Sequence, residues 1–179
     1  TRAEINDIYQ AVQMWADATM LSWETAIGKY PLEAVYYMQQ TIKTAEQLGI
    51  KHMYDFDDTS LDLWWKIYQH LLQSALFLAE EIDAAGIVIF TKTGRWAKFL
   101  SAYKTDTPIL ACTREPRIVE QLGYYYGVVA RLITGKPAVD FERIMSQSKK
   151  LTNPDKKPFV LISDTDMIAW WYPTIQVIS

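Results

Sequence analysis

From residue 86 onward the chain alternates short β-branched apolar runs with amphipathic stretches, a pattern typical of strands joined by crossover helices. The first four runs lie near Ile87, Ile109, Val128 and Val160, and we expect these strands to be parallel. The last run, Thr174–Ile178, follows after about ten residues. Because that connection is too short for a helical crossover, the last strand should return antiparallel. The pattern predicts an α/β fold, a three-layer sandwich around a mostly parallel five-stranded sheet.

The beginning of the chain predicts two helices around one short apolar run. Apolar residues recur at helical spacing over Ile5–Val12, and a proline opens a second helix over Pro31–Gly49. Between them, Asp17–Ser22 is an apolar run that predicts a buried strand. We therefore divide the chain into a helix-strand-helix segment over residues 1–50 and an α/β domain over residues 51–179.

Two further helices are predicted inside the α/β domain. The longer one runs from Leu61 to about Ala84 and ends at Gly86. Its apolar residues cover more than one face, so it must be buried on more than one side. The other, over Val139–Leu151, is amphipathic enough to form a crossover helix.

The candidate chemistry lies where the first strand ends. Five residues with polar, flexible or charged character lead from the strand into a helix: Thr91, Lys92, Thr93, Gly94 and Arg95. Glycine lets the backbone approach a ligand, the threonines offer hydroxyls, and the free N–H groups of the helix start lie beside the arginine. This combination suits a phosphate group. The same residues also fit an ordinary turn with a capping threonine and no ligand, and spacing alone favours that second interpretation.

Two segments of the chain resemble pyruvate kinase. The loop after the first strand is similar to the family pattern T-x-S/T-G-R-S/T-A, which holds a phosphate of a sugar-phosphate activator in many members, and it departs from that pattern at Trp96. The first segment resembles the last strand-and-helix unit of the family's TIM barrel. The matching positions there are Thr1–Glu4, Asp7, Ala16–Ala18, Met20–Ser22, Glu24–Ala26, Gly28, Tyr30–Pro31, Glu33–Val35 and Met38.

The resemblance implies a regulatory role and no catalysis. The family's metal-binding carboxylates, catalytic lysine and substrate contacts precede the segment that this chain matches, so we expect no enzyme activity. The resemblance predicts a non-catalytic regulatory and assembly domain with a vestigial effector loop that binds a sugar bisphosphate weakly. The alternative is an engineered scaffold that associates with itself or with a partner and binds no ligand.

Composition and charge exclude several other classes of protein. A net charge of −3 without a basic stripe argues against nucleic-acid binding, and no apolar run reaches the roughly 20 residues of a membrane span. The single cysteine, Cys112, permits no disulfide framework and fits a cytoplasmic protein.

Three clustered aspartates lack the spacing of a calcium loop, and His52 and His70 form no ligand set. We therefore expect neither a metal nor a cofactor. The aspartates are Asp55, Asp57 and Asp58.

The seven tryptophans are the unusual feature of the composition. Several replace residues that are small or polar in the family, and others form adjacent aromatic pairs that a helix cannot bury together. We hypothesise an engineered fragment whose aromatic residues form a contact in a homo-oligomer, with a dimer as the first expectation. The candidate contact residues are Trp15, Trp23, Trp64, Trp65, Trp96, Trp170 and Trp171.

Overall fold

The chain folds as two compact units, Thr1–His52 and Met53–Ser179, which we call the N-terminal and the C-terminal unit. The computed structural model describes residues 1–48, 63–134, 158–163 and 174–178. Within these residues the helices are α1 (Arg2–Gln13), α2 (Trp23–Ala26), α3 (Pro31–Gln47), α4 (Leu63–Glu81), α5 (Arg95–Ala102) and α6 (Pro116–Leu122). The strands are β1 (Gly86–Phe90), β2 (Ile109–Thr113), β3 (Val128–Leu132), β4 (Phe159–Ser163) and β5 (Thr174–Ile178).

The five strands form one sheet in the C-terminal unit, in the order β3-β2-β1-β4-β5. Strand β1 pairs in parallel with β2 and β4, and β2 pairs in parallel with β3. Strand β5 runs antiparallel to β4. The predicted α/β fold and the direction of all five strands are confirmed.

The sequences of β1, β2 and β4 are almost entirely apolar because these strands are buried. All fifteen of their residues are buried, as expected for interior strands of a parallel sheet covered on both faces. One face carries Ile87 and Ile89 and packs against side chains of α4, α5 and α6. The opposite face carries Val88 and Phe90 in a second buried cluster. The crossover helix predicted at Val139–Leu151 lies outside the described residues.

Helix α4 is buried along one side, so the predicted burial on more than one side is wrong: Leu63, Ile67 and Phe77 share the opposite face and are exposed. Leu72, Leu76 and Ala79 lie in the main core, and Tyr68 and Leu71 pack against it from a neighbouring part of the helix surface.

A short turn joins α4 to β1, so the first turns of α4 lie near the carboxyl end of β1. Ring contacts of Tyr68 with Trp96 and of Trp65 with Phe99 join this part of α4 to α5, which follows the loop after β1.

In the N-terminal unit, α1 packs against α3, and both helices confirm the prediction. The strand predicted over Asp17–Ser22 is wrong, because these residues have no regular secondary structure and the short helix α2 follows them. A strand is stabilised by ladder hydrogen bonds to neighbouring strands, and no strand lies in the described part of this unit. The apolar pattern alone is therefore insufficient to form the strand.

The described residues form neither a membrane span nor a cluster of metal ligands. None of the helices there combines the length and apolar character needed to cross a bilayer. In the same residues no three His, Cys, Asp or Glu side chains are grouped to hold a metal ion. The aspartates near residue 55 and His52 lie outside the described part of the chain.

Candidate functional site

The candidate loop lies at the topological switch point of the sheet, where the order in which the chain adds strands reverses. After β1 the chain moves to β2 and β3 on one side, whereas β4 and β5 lie on the other side of β1. In open α/β sheets, ligands bind outside the carboxyl ends of the strands at such a switch point. The loop Thr91–Arg95 directly follows β1 and therefore occupies this position.

Thr91 shapes the loop from the inside. Its side chain is fully buried, and its Oγ1 accepts a hydrogen bond of 3.0 Å from the backbone N–H of Gly94. Its own N–H donates to the carbonyl of Cys112 at 2.9 Å, which continues the sheet pairing by one residue. Thr91 therefore holds the turn closed, whereas Lys92, Thr93 and Arg95 are exposed.

Gly94 is required at its position for two reasons. Its φ of +74° lies in the left-handed region, where a side chain is strained. A Cβ there would also lie 3.1 Å from both Ile118 Cγ2 and Leu122 Cδ2 of α6. The absence of a side chain thus lets α6 pack directly against the start of α5.

Helix α5 begins at this glycine and presents free donors. The N–H of Lys98 donates to the carbonyl of Gly94 at 3.0 Å, which forms the first helical hydrogen bond. The N–H groups of Trp96 and Ala97 lie in the first turn and have no partner within the helix. The N–H of Arg95 makes a long bond of 3.4 Å to Oγ1 of Thr93. The loop thus combines backbone donors with two exposed cationic side chains.

The Trp96 side chain lies in the interior of the C-terminal unit. It is only 6% exposed, and its ring meets the ring of Tyr68 on α4 edge to face, with centroids 4.9 Å apart. The expectation that Trp96 forms part of a contact surface is therefore not met. The indole therefore does not cover the exposed side of the loop. It also lacks the hydroxyl that the family pattern has at this position.

A row of aromatic rings borders the loop on the α4 side. The guanidinium carbon of Arg95 lies 5.8 Å from the ring centroid of Trp65. Trp65 meets Phe99 edge to face at 5.9 Å, and Phe99 meets Tyr103 at 5.5 Å. Burial raises the pKa of the Tyr103 phenol. We call Trp65, Phe99 and Tyr103 the aromatic row.

Two hydroxyls at neighbouring strand ends were not predicted from the sequence. Thr113 ends β2 and accepts a hydrogen bond of 3.2 Å from the N–H of Glu115, and Ser163 ends β4 with its Oγ 2.8 Å from Oγ1 of Thr174. Both residues are buried. The sequence feature that could have indicated them is a hydroxyl residue at the end of an apolar run, a position that Thr91 also has. The two hydroxyls thus form hydrogen bonds at the ends of β2 and β4, the strands on either side of β1.

The other tryptophans named from the sequence differ in exposure. Trp23 is 72% exposed in the N-terminal unit, whereas Trp15 and Trp65 are half-buried. Trp170 and Trp171 lie outside the described residues, as does the side chain of Trp64. Only Trp23 among the described tryptophans presents most of its ring to solvent.

The N-terminal unit also contains an open groove of about 890 Å³. Its lining includes Ile5 and Ile8 of α1, Met20 from the extended segment, and Tyr37 and Met38 of α3. Large apolar side chains near it are strongly exposed, with Met20 at 85% and Ile27 at 73%. This unit therefore carries unburied apolar surface.

Comparison with known proteins identifies the family. The family model described as "Pyruvate kinase, alpha/beta domain" matches residues 69–164, more than half of the chain. The chain belongs to the pyruvate kinase family. The residues matched by the family model include β1, the candidate loop, β2, β3 and β4.

Individual pyruvate kinases are similar over most of this chain. Pyruvate kinase 2 of Synechocystis sp. is 36% identical over 139 residues, which are 77% of this chain and 22% of that protein. The pyruvate kinase of Borreliella burgdorferi is 29% identical over 170 residues, 91% of this chain and 35% of that protein. The chain thus spans between about a fifth and a third of the length of these relatives.

A solved structure of similar fold covers the whole chain. The crystal structure of a pyruvate kinase from Cryptosporidium parvum aligns with a TM-score of 0.76 at 23% identity and covers 100% of this chain and 36% of that one. At this identity the likeness concerns the fold.

Gly94→Ala tests the geometry of the loop. We expect this substitution to lower the free energy of unfolding by about 1–2 kcal/mol from the left-handed backbone alone. Contact of the new Cβ with α6 adds to this loss. The measurement is urea denaturation followed by circular dichroism.

Gly123→Ala is the matched control, because Gly123 has a φ of −62° and its nearest neighbour to an added Cβ lies at 3.4 Å. It should leave stability almost unchanged. Equal effects of the two substitutions would contradict the role assigned to Gly94.

Proposed function

We propose that this chain is a non-catalytic regulatory and assembly domain that binds the phosphate group of a sugar phosphate at the loop Thr91–Arg95. The observation that carries the proposal is the hydrogen bond between Gly94 N–H and Thr91 Oγ1. It holds the loop against the start of α5 while Lys92, Thr93 and Arg95 remain exposed. The backbone donors at the start of α5 and two exposed cationic side chains therefore belong to one short loop.

Each of these groups suits a phosphate in a different way. Arg95 supplies a planar set of N–H donors, and Lys92 supplies a mobile positive charge. The Thr93 hydroxyl and the free N–H groups of the first turn of α5 add further donors. Thr91, in contrast, acts only through the shape of the loop, since its side chain is fully buried.

We expect this binding to be weak. Members of the family that bind such activators have a small hydroxyl residue at the position of Trp96, and this chain has a buried indole there. A hydrogen bond to a charged group contributes about 1.5–3 kcal/mol. Its loss corresponds to an affinity roughly ten- to a hundred-fold lower.

Isothermal titration calorimetry with a hexose bisphosphate tests the phosphate site. We expect saturable binding by the unaltered chain and at least a ten-fold loss of affinity in Arg95→Ala, because the charged donor is removed. Arg2→Ala makes the same substitution in the N-terminal unit and should bind as the unaltered chain does. No heat at millimolar ligand would contradict the proposal and would favour the ligand-free scaffold.

The proposed absence of catalysis has its own test. The chain spans only 22–35% of the length of the two relatives described above, and we propose that the groups for phosphoryl transfer lie in the remaining part of such proteins. A coupled assay with ADP and phosphoenolpyruvate should therefore show no turnover. Turnover that disappears after heat denaturation would overturn this proposal.

We further propose that the chain assembles with itself through the N-terminal unit, in a cytoplasmic setting. Five of its large apolar side chains are more than 70% exposed: Met14, Met20, Trp23, Ile27 and Leu32. Apolar patches above a few hundred Å² are uncommon on monomers and mark contact surfaces. A symmetric dimer is the commonest closed assembly that would cover such a patch.

Multi-angle light scattering at micromolar concentration tests the assembly. We expect the mass of a dimer for the unaltered chain and a shift toward the monomer in Trp23→Ala, because an exposed tryptophan is a typical contact anchor. Tyr124→Ala removes an equally exposed ring from the C-terminal unit, where Tyr124 is 74% exposed, and should leave the dimer intact. A monomeric mass for the unaltered chain would rule out the assembly.

A further inference from the structure

We propose that Trp65 is a positioning residue for Arg95, so that helix α4 sets the affinity of the loop for phosphate. This inference rests on the proposed phosphate site and adds a residue that lies outside the loop. Trp65 is on α4, thirty positions before Arg95 in the sequence, and the fold brings their side chains together.

The contact between the two side chains leaves the arginine free to bind. The Arg95 guanidinium carbon lies 5.8 Å from the Trp65 ring centroid, within the range of a cation–π interaction. The ring attracts the positive charge through its face and accepts none of the in-plane N–H donors. The donors that would bind a phosphate therefore remain available while the side chain is held in place.

A carboxylate partner would have the opposite effect, because an ion pair consumes the same donors. Within the described part of the chain no carboxylate lies within ion-pair distance of Arg95. Arg95 is also exposed, so an incoming anion can reach it. Among the described residues, the aromatic ring is thus the group that orients this guanidinium.

Trp65 can orient Arg95 because its own ring is fixed. It meets Phe99 edge to face at 5.9 Å, and Phe99 in turn meets Tyr103 at 5.5 Å. Arg95 and Phe99 are four residues apart on α5 and therefore lie on the same face of that helix. The indole contacts this face at both positions, so the aromatic row holds the guanidinium near the start of α5.

Holding the side chain in advance improves affinity, because fewer rotamers must be frozen when the ligand binds. A cation–π contact at a partly exposed site corresponds to about a five-fold change in affinity. We therefore expect Trp65→Leu to bind a hexose bisphosphate about five-fold more weakly than the unaltered chain. Trp65→Phe keeps a ring face and should restore most of the affinity.

Calorimetry on matched variants separates a positioning role of Trp65 from a general effect of its loss on the fold. Tyr124→Leu removes an exposed ring from the C-terminal unit without touching the proposed dimer contact, and it should leave the affinity unchanged. In an Arg95→Ala background, Trp65→Leu should cause no further loss, because the residue through which it acts is gone. An equal loss with and without Arg95 would overturn the proposal. Thermal denaturation of each variant checks folding, and Trp65→Met provides a second ring-free variant if Trp65→Leu does not fold.

The outcomes also separate this inference from the proposed function. If the unaltered chain binds neither the hexose bisphosphate nor inorganic phosphate, the phosphate site itself is refuted. If it binds and Trp65→Leu binds equally well, the site stands and the positioning role of Trp65 is refuted.

Discussion

The burial of β1 on both faces is the constraint on which the C-terminal unit depends. Its four apolar side chains from Ile87 to Phe90 are at most 1% exposed, and each contributes about 1.5–3 kcal/mol when it is fully buried. Parallel neighbours on both sides fix the register of the strand. The position of Thr91 follows directly, since its N–H extends the pairing with β2. The geometry of the candidate loop is therefore a consequence of the packing of the central strand.

The sheet and most of the helices could be predicted because their signals are local or repetitive. Continuous apolar runs predict interior parallel strands, and the short connection before β5 predicts its reversal. The segment Asp17–Ser22 carries a similar apolar signal and forms no strand. The difference is that β1 has two neighbouring strands, whereas the described part of the N-terminal unit has none. An apolar pattern shows that a segment favours burial, and the rest of the chain decides whether ladder partners exist.

Within the candidate site, the sequence predicts the residue types but not the division of their roles. Thr91 and Thr93 look equivalent in the sequence, yet one is fully buried and holds Gly94 while the other is exposed. Trp96 looks like a surface residue beside Arg95, and the turn of α5 instead directs it toward Tyr68. The contact of Arg95 with Trp65 joins residues thirty positions apart. Such pairings depend on how α4 crosses α5, which no local pattern encodes.

At position 96 the burial of an aromatic side chain, which favours folding, can be compared with the loss of a hydroxyl donor, which would favour ligand binding. Burying an indole removes roughly 150–250 Å² of apolar surface from water, an upper limit of about 4–6 kcal/mol in favour of folding. The hydroxyl that the resemblance places there would contribute about 1.5–3 kcal/mol to binding, and only when a ligand is present. The indole therefore stabilises the contact between α4 and α5 at the expense of a ligand donor. Since Trp65 contacts Phe99 of α5, it belongs to the same contact between α4 and α5. The packing that places an indole at position 96 therefore also brings the Trp65 ring to 5.8 Å from the Arg95 guanidinium carbon.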